Sequence, residues 1–141
     1  MNVLMLLADS AQVSDGKLYI LGGGWTLTGP YPAPQALAIK FIVDSHELNV
    51  AHHWEVVLED ADGRPIIIDT PDGPQPVEVR GDFQAGEPEG ALPGTPVDVP
   101  IAINFGPLPL APGSRYVWRA VIDGMTPPGG TSAFSTRPLS E

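Results

Sequence analysis

The chain contains no cysteine. Disulfides, thiolate zinc sites, iron–sulfur ligation and thiol nucleophiles are therefore excluded by composition. Positive charge is scarce too, with 7 Lys and Arg against 17 Asp and Glu, a formal net charge of −10. Nucleic acid and anionic membrane surfaces need a basic footprint, so neither is an expected partner. Long apolar runs are missing as well. The first one, Val3 to Ala8, closes at Asp9, and the first basic residue is Lys17. A secretory signal needs a basic start and a longer apolar stretch, and a membrane helix needs ~18–20 apolar residues. The expected protein is soluble and cytoplasmic.

Glycine and proline are abundant, at 16 and 17 of 141 residues, roughly twice their ordinary share. They fall between short apolar runs and read as turns. The apolar period is two. Leu37, Ile39, Phe41 and Val43 alternate with Ala36, Ala38, Lys40 and Ile42, and Tyr116, Trp118, Ala120 and Ile122 alternate with Val117, Arg119 and Val121. Such alternation marks strands with one buried face. About nine strands are predicted, at 2–8, 17–28 (bent at Gly22–Gly24), 35–43, 52–59, 65–69, 77–83, 98–105, 115–122 and 131–137. Asp15-Gly16, Asp62-Gly63, Asp72-Gly73, Pro112-Gly113 and Asp123-Gly124 supply the corners. The predicted fold is all-β: one domain over 1–141, a single antiparallel β-sandwich. Ile39, Phe41, Trp54, Val56, Leu58, Val79, Ile103, Trp118 and Ile122 should face inward. Lys40, Glu55, Glu78, Arg80 and Arg119 should face solvent. Strands 35–43 and 115–122 carry no proline and should be central, with 65–69 and 131–137 at the edges.

The segment Leu108-Pro-Leu-Ala-Pro-Gly-Ser-Arg-Tyr116-Val-Trp118 resembles the tyrosine corner of fibronectin type III and immunoglobulin-like domains, through Leu110, Pro112, Gly113 and Tyr116. It implies that the sandwich is immunoglobulin- or fibronectin-like, with Tyr116 buried and its hydroxyl bonded to backbone near Leu110. The stretches Leu6–Val13, Asp15–Trp25, Pro100–Pro107 and Tyr116–Arg119 are similar to short bacterial proteins classed only as a domain of unknown function. That similarity implies an actinobacterial, cytosolic protein and carries no activity.

Each local candidate has a plainer structural explanation. Gly22-Gly23-Gly24-Trp25 lacks the Lys and helix of a phosphate loop, so it reads as a bulge or a close backbone approach. His46, His52 and His53 are the only histidines. His52 and His53 point to opposite faces of a strand; His52 could meet His46 across a turn and, with Asp44 or Glu47, hold zinc. Exposed histidines at a strand entrance are the alternative. Asp60, Asp62, Asp69 and Asp72 could bind calcium, or could simply be turn residues. The serines lack a nucleophile-elbow setting, so no catalytic residue, cofactor or metal site is assigned. Residues 84–98, Gly- and Pro-rich, form a long loop that is either functional or merely mobile.

The expected function is a non-enzymatic protein-binding or assembly module. Its partner would be an unknown protein, met through loop 84–98 or the Asp60–Arg64 loop, or a second copy met through a sheet edge to give a homodimer. The alternatives are a calcium- or small-ligand-binding domain, a structural component of a phage-like particle, and an enzyme with an unrecognised site.

Overall fold

The computed structural model describes residues 1–140. Twelve strands run in chain order: β1 (Asn2–Ala8), β2 (Ser10–Ser14), β3 (Lys17–Leu21), β4 (Leu27–Thr28), β5 (Gln35–Val43), β6 (His52–Asp60), β7 (Ile67–Thr70), β8 (Gly73–Pro76), β9 (Glu78–Phe83), β10 (Val97–Phe105), β11 (Arg115–Ile122) and β12 (Thr131–Thr136). A short 3-10 turn at Ser45–Glu47 is the only helical element among the described residues. The strands form four open sheets. One has the order β1-β5-β10, a second the order β4-β12-β11-β6-β9, and β2-β3 and β7-β8 are hairpins.

The count exceeds the nine expected because the turn residues cut the chain more often than the apolar rhythm reveals. The expected strand 17–28 is two strands in different sheets. Gly22 and Gly24 take φ of 60° and 88°, which breaks the extended chain. Asp15 and Gly16, both at positive φ, close a two-residue hairpin and so create β2, which pairs Ser10–Ser14 with Lys17–Leu21. The expected edge strand 65–69 leaves β6 after Ile66 and pairs as β7 with β8 instead. Strand 131–137 is not an edge either, because the two residues of β4 pair with it. That pair is parallel, so the sheets are not purely antiparallel. Strands 35–43 and 115–122 are central, as their sequences indicate.

The two larger sheets share one core. Phe41, Ile39, Leu37 and Val43 from β5 are fully buried with Trp118, Val56 and Leu58 from the other sheet. Trp54 and Ile122 are buried there too, while Val79 and Ile103 are partly buried against the same cluster. Phe105 stacks on Trp118 at 4.9 Å, and the Trp118 indole N–H donates to Gln35 Oε1 at 3.1 Å, so β11 is tied to β5 across the core. The outward residues follow the expected parity but are not all free in solvent. Lys40 pairs with Asp98, Arg119 with Glu59, and Arg80 with Glu78 and Glu55.

Every edge of the two larger sheets is obstructed. Val3 donates its N–H to the Pro128 carbonyl, and Gly24 donates to the Leu7 carbonyl, so loops plug both ends of β1. The same bond shows that odd residues of β1 turn their backbone outward. Carried across β5, the alternation puts the backbone of Asp98, Pro100, Ala102 and Asn104 on the open side of β10, where proline has no N–H to offer. At the edges of the second sheet, β9 carries Glu78, Arg80 and Asp82, and β4 is two residues long.

Tyr116 is buried at the start of β11, and its hydroxyl accepts the Ala111 N–H at 2.8 Å, one residue after Leu110. The expected corner is therefore formed, with the ring stacked on Phe134 at 5.5 Å. Tyr116→Phe removes this bond while leaving the ring, and should cost about 1 kcal/mol of stability in a urea titration. An unchanged midpoint would show that the corner is held by packing alone.

Candidate functional site

The outer face of the β1-β5-β10 sheet is the most unusual surface of the molecule. Register sets its residues in four rows: Asn2–Ile42–Asp98, Leu4–Lys40–Pro100, Leu6–Ala38–Ala102 and Ala8–Ala36–Asn104. An outer face of a half-buried sheet is ordinarily polar. Here only Lys40 and Asp98 are charged, and they pair with each other at 3.2 Å.

The β2-β3 hairpin lies over the last rows. Ala11 and Leu18 from the hairpin pack on Ala8, Ala36, Ala38 and Ala102, and the alanines let the layers approach closely. Asn104 holds the hairpin down with both ends of its amide. Its Oδ1 accepts the Ala11 N–H at 3.1 Å and its Nδ2 donates to the Ala11 carbonyl at 2.7 Å. At the far end the Asp9 N–H bonds the Leu21 carbonyl. The outward side of the hairpin carries Ser10, Gln12, Ser14 and Lys17, and among them two exposed apolar residues, Tyr19 at 50% and Leu21 at 70%. A shallow groove of about 430 Å³ runs there along Ser10, Gln12, Tyr19 and Leu21. Beyond the hairpin the face stays open along β1, with Leu4 50% and Leu6 36% exposed.

The residues singled out from sequence fall elsewhere. Gly22–Gly24 is a close backbone approach: a Cβ at Gly22 would strike the Asp9 carboxylate, and Gly24 bonds β1 directly. His52 and His53 do point to opposite faces. His52 does not meet His46, because both its ring nitrogens are already engaged, Nδ1 with Asp123 Oδ2 at 2.6 Å and Nε2 with the Glu47 carbonyl at 2.8 Å. Asp44, His46 and Glu47 do come together, with ligand atoms within 4.8 Å of one another, but the two carboxylates face the Met1 amino group, 2.9 Å from Glu47 and 3.4 Å from Asp44. His53 sits between Asp82 and Glu55 on the outer face of the five-stranded sheet.

Among the described residues, Asp60, Asp62, Asp69 and Asp72 form no ligand cluster. Asp60 is spent on its own turn, its Oδ1 accepting the Asp62 and Arg64 N–H groups. The long loop is strand-free from Gln84 to Pro96, slightly shorter than expected, because Val97 already begins β10. Its base is anchored by buried Ala85, whose carbonyl accepts the Asn49 N–H, and its tip exposes Leu92.

These features describe an all-β protein whose distinctive surface is a small-residue sheet face capped by a hairpin that exposes Tyr19 and Leu21. Among the described residues no helix is long and apolar enough to cross a membrane. The chain belongs to a family of unknown function, DUF6941, whose model matches residues 3–127. No curated protein and no solved structure matches it.

Two predictions follow from the geometry. Removing the amide in Asn104→Ala should cost about 1–2 kcal/mol and speed hydrogen exchange at the β2-β3 amides before the core amides exchange. Equal protection in the variant would mean that the alanine layer alone holds the hairpin. The second concerns His52. The Glu47 carbonyl and the Asp123 carboxylate only accept, so they favour the doubly protonated ring, and its pKa is raised first by Glu47 and then by Asp123. Asp123 is lowered by His52 and by the His53 N–H. The His52 contribution is complete below ~6.5, the unfolded value, and is lost as pH rises through the raised folded value. The Asp123 contribution is complete above ~3.9 and is lost as pH falls through its lowered value. Stability from this pair should peak between about pH 4 and 6.5, and His52→Gln should flatten the alkaline limb in melts carried from about pH 5 to about pH 9.

Proposed function

We propose that this protein is an immunoglobulin- or fibronectin-like β-sandwich acting as a non-enzymatic protein-binding or assembly module. The sandwich reading is supported by strand order. Setting aside the two added hairpins and the two-residue β4, and lettering the strands along the chain, β1, β5 and β10 take the places of A, B and E. The strands β12, β11, β6 and β9 take those of G, F, C and C′. The tyrosine corner sits at the entry to F, where that fold places it.

One observation carries the binding reading. The outer face of the three-stranded sheet exposes Leu4 and Leu6 on β1, and the hairpin over its other end exposes Tyr19 and Leu21, with no described segment over them. Scattered apolar residues are ordinary on a surface, but a grouped patch marks an interaction site. The same surface would serve a subunit of a phage-like particle, which is one form of the assembly reading.

Tagged wild-type chain, a Tyr19→Ser/Leu21→Ser variant and a deletion of residues 86–96 should be compared by quantitative capture from native lysate. A protein held by the wild type should fall at least ~10-fold with the hairpin variant and persist with the loop deletion. Equal recovery by all three would overturn the reading, and loss only in the deletion would move the site to the 84–98 loop.

A further inference from the structure

We propose that His52 is a proton-operated latch that holds the Ser45–Glu47 turn toward the Asp123 corner and, through that turn, sets the anchor of the 84–96 loop. The latch shares no residue with the hairpin surface and stands whether or not that surface binds a partner. Three segments meet at the ring: the 3-10 turn, the first residue of β6, and the corner that follows β11. The ring is 7% exposed, so water does not readily replace a lost partner. Nδ1 lies 2.6 Å from Asp123 Oδ2 and Nε2 lies 2.8 Å from the Glu47 carbonyl. Both partners only accept, so the ring holds both only while it carries both protons.

Loss of one proton does not free the two sides equally. Asp123 is fixed independently of the ring. Its Oδ1 accepts the His53 N–H at 3.0 Å, and its own N–H donates to the His53 carbonyl at 2.9 Å. As the charged partner it keeps the remaining proton on Nδ1. Nε2 then turns a lone pair to the Glu47 carbonyl, and a buried acceptor faces an acceptor. The turn is the side that yields, being three residues long with none of them buried. Its movement has an outlet. Leu48, buried just after the turn, is the pivot, and Asn49 beyond it donates its N–H to the carbonyl of buried Ala85 at 2.7 Å, at the base of the long loop.

The other groups around the ring do not replace the lost proton. On the turn, the Glu47 carboxylate is taken by the Met1 amino group at 2.9 Å, Asp44 faces the same amine at 3.4 Å, and His46 is exposed. From β9, Phe83 lies against the ring at 5.3 Å and carries no charge. His53 points to the opposite face, among Asp82, Glu55 and Arg80. The Glu47 carbonyl first, and then Asp123, raise the His52 pKa above its free value of ~6.5. The latch is therefore shut at and below that pH and opens on the alkaline side, as pH rises through the raised value.

The test is a carbon-detected NMR titration of the full chain from about pH 5 to about pH 9. The His52 ring carbons should titrate, and the Ala85 carbonyl carbon should shift along the same curve, while the carbonyl of Val56 in the core stays still. Asp123→Asn keeps an acceptor of the same shape without its charge, and should move both curves at least ~1 pH unit toward acid. His46→Gln removes the other histidine of this region and should leave both curves in place. An Ala85 carbonyl that stays flat while His52 titrates overturns the latch, as does a ring that keeps one protonation state across the range. A transition that disappears with His46 overturns it too. A midpoint unmoved in Asp123→Asn would show that Asp123 does not hold the proton, and the one-sided release fails. Should that variant not fold, the wild-type and His46→Gln curves decide the matter by themselves.

Discussion

Burial of β5 on both faces is the constraint on which the other features depend. Its odd positions, Leu37 to Val43, supply the fully buried side chains of the shared core. Its even positions Ala36 and Ala38 are equally buried, but beneath the β2-β3 hairpin. Where the hairpin covers it, β5 is closed on both sides and its register is tightly fixed, because a slip by one residue would drive Lys40 and the alanines into a core shaped for Phe41 and Ile39. The opposite sheet is locked to it through Trp118, whose ring fills the core centre and whose N–H is satisfied by Gln35 at the head of β5. Leaving that N–H unbonded would carry the full penalty of a buried donor, so the indole fixes orientation as well as volume.

The alternation of apolar residues was enough to find the long strands, because packing and period agree there. Face parity in β5, β6 and β11 and the tyrosine corner were legible for the same reason: each depends on residues close in sequence. What was not legible depends on contacts distant in sequence. Nothing local to Thr131–Thr136 announces that Leu27 and Thr28 will cover it, and nothing in Ile67–Thr70 says it will leave β6 for β8. One signal was available and was read as simple alternation. Ala36, Ala38 and Ala102 stand where an outward face should carry polar side chains, and alanine at successive outward positions indicates a second layer close above.

The candidate surface was hidden by the same gap. Residues 18–21, Leu-Tyr-Ile-Leu, form a continuous apolar run, so their sequence does not say which of them face inward. The structure turns Leu18 toward the sheet and leaves Tyr19 and Leu21 outward, because Ala11 and Asn104 fix which side of the hairpin faces down. The histidines fail as ligands for an equally distant reason. His52 is taken up by Asp123, seventy-one residues away, on a turn whose positive φ aims that carboxylate back at β6.

The treatment of edges and faces also bears on how this protein would meet another. Strand addition needs a run of free, regularly spaced backbone groups. Pro128 and Gly24 occupy both ends of β1, Pro100 interrupts β10, and charged side chains flank β9. The outer face of the three-stranded sheet is treated in the opposite manner. It keeps leucines in the open and has a single ion pair, in a chain with 24 charged side chains among its Lys, Arg, Asp and Glu. Guarded edges beside a face with open leucines make that face, and side-chain fit on it, the basis of the proposed binding, in place of backbone pairing.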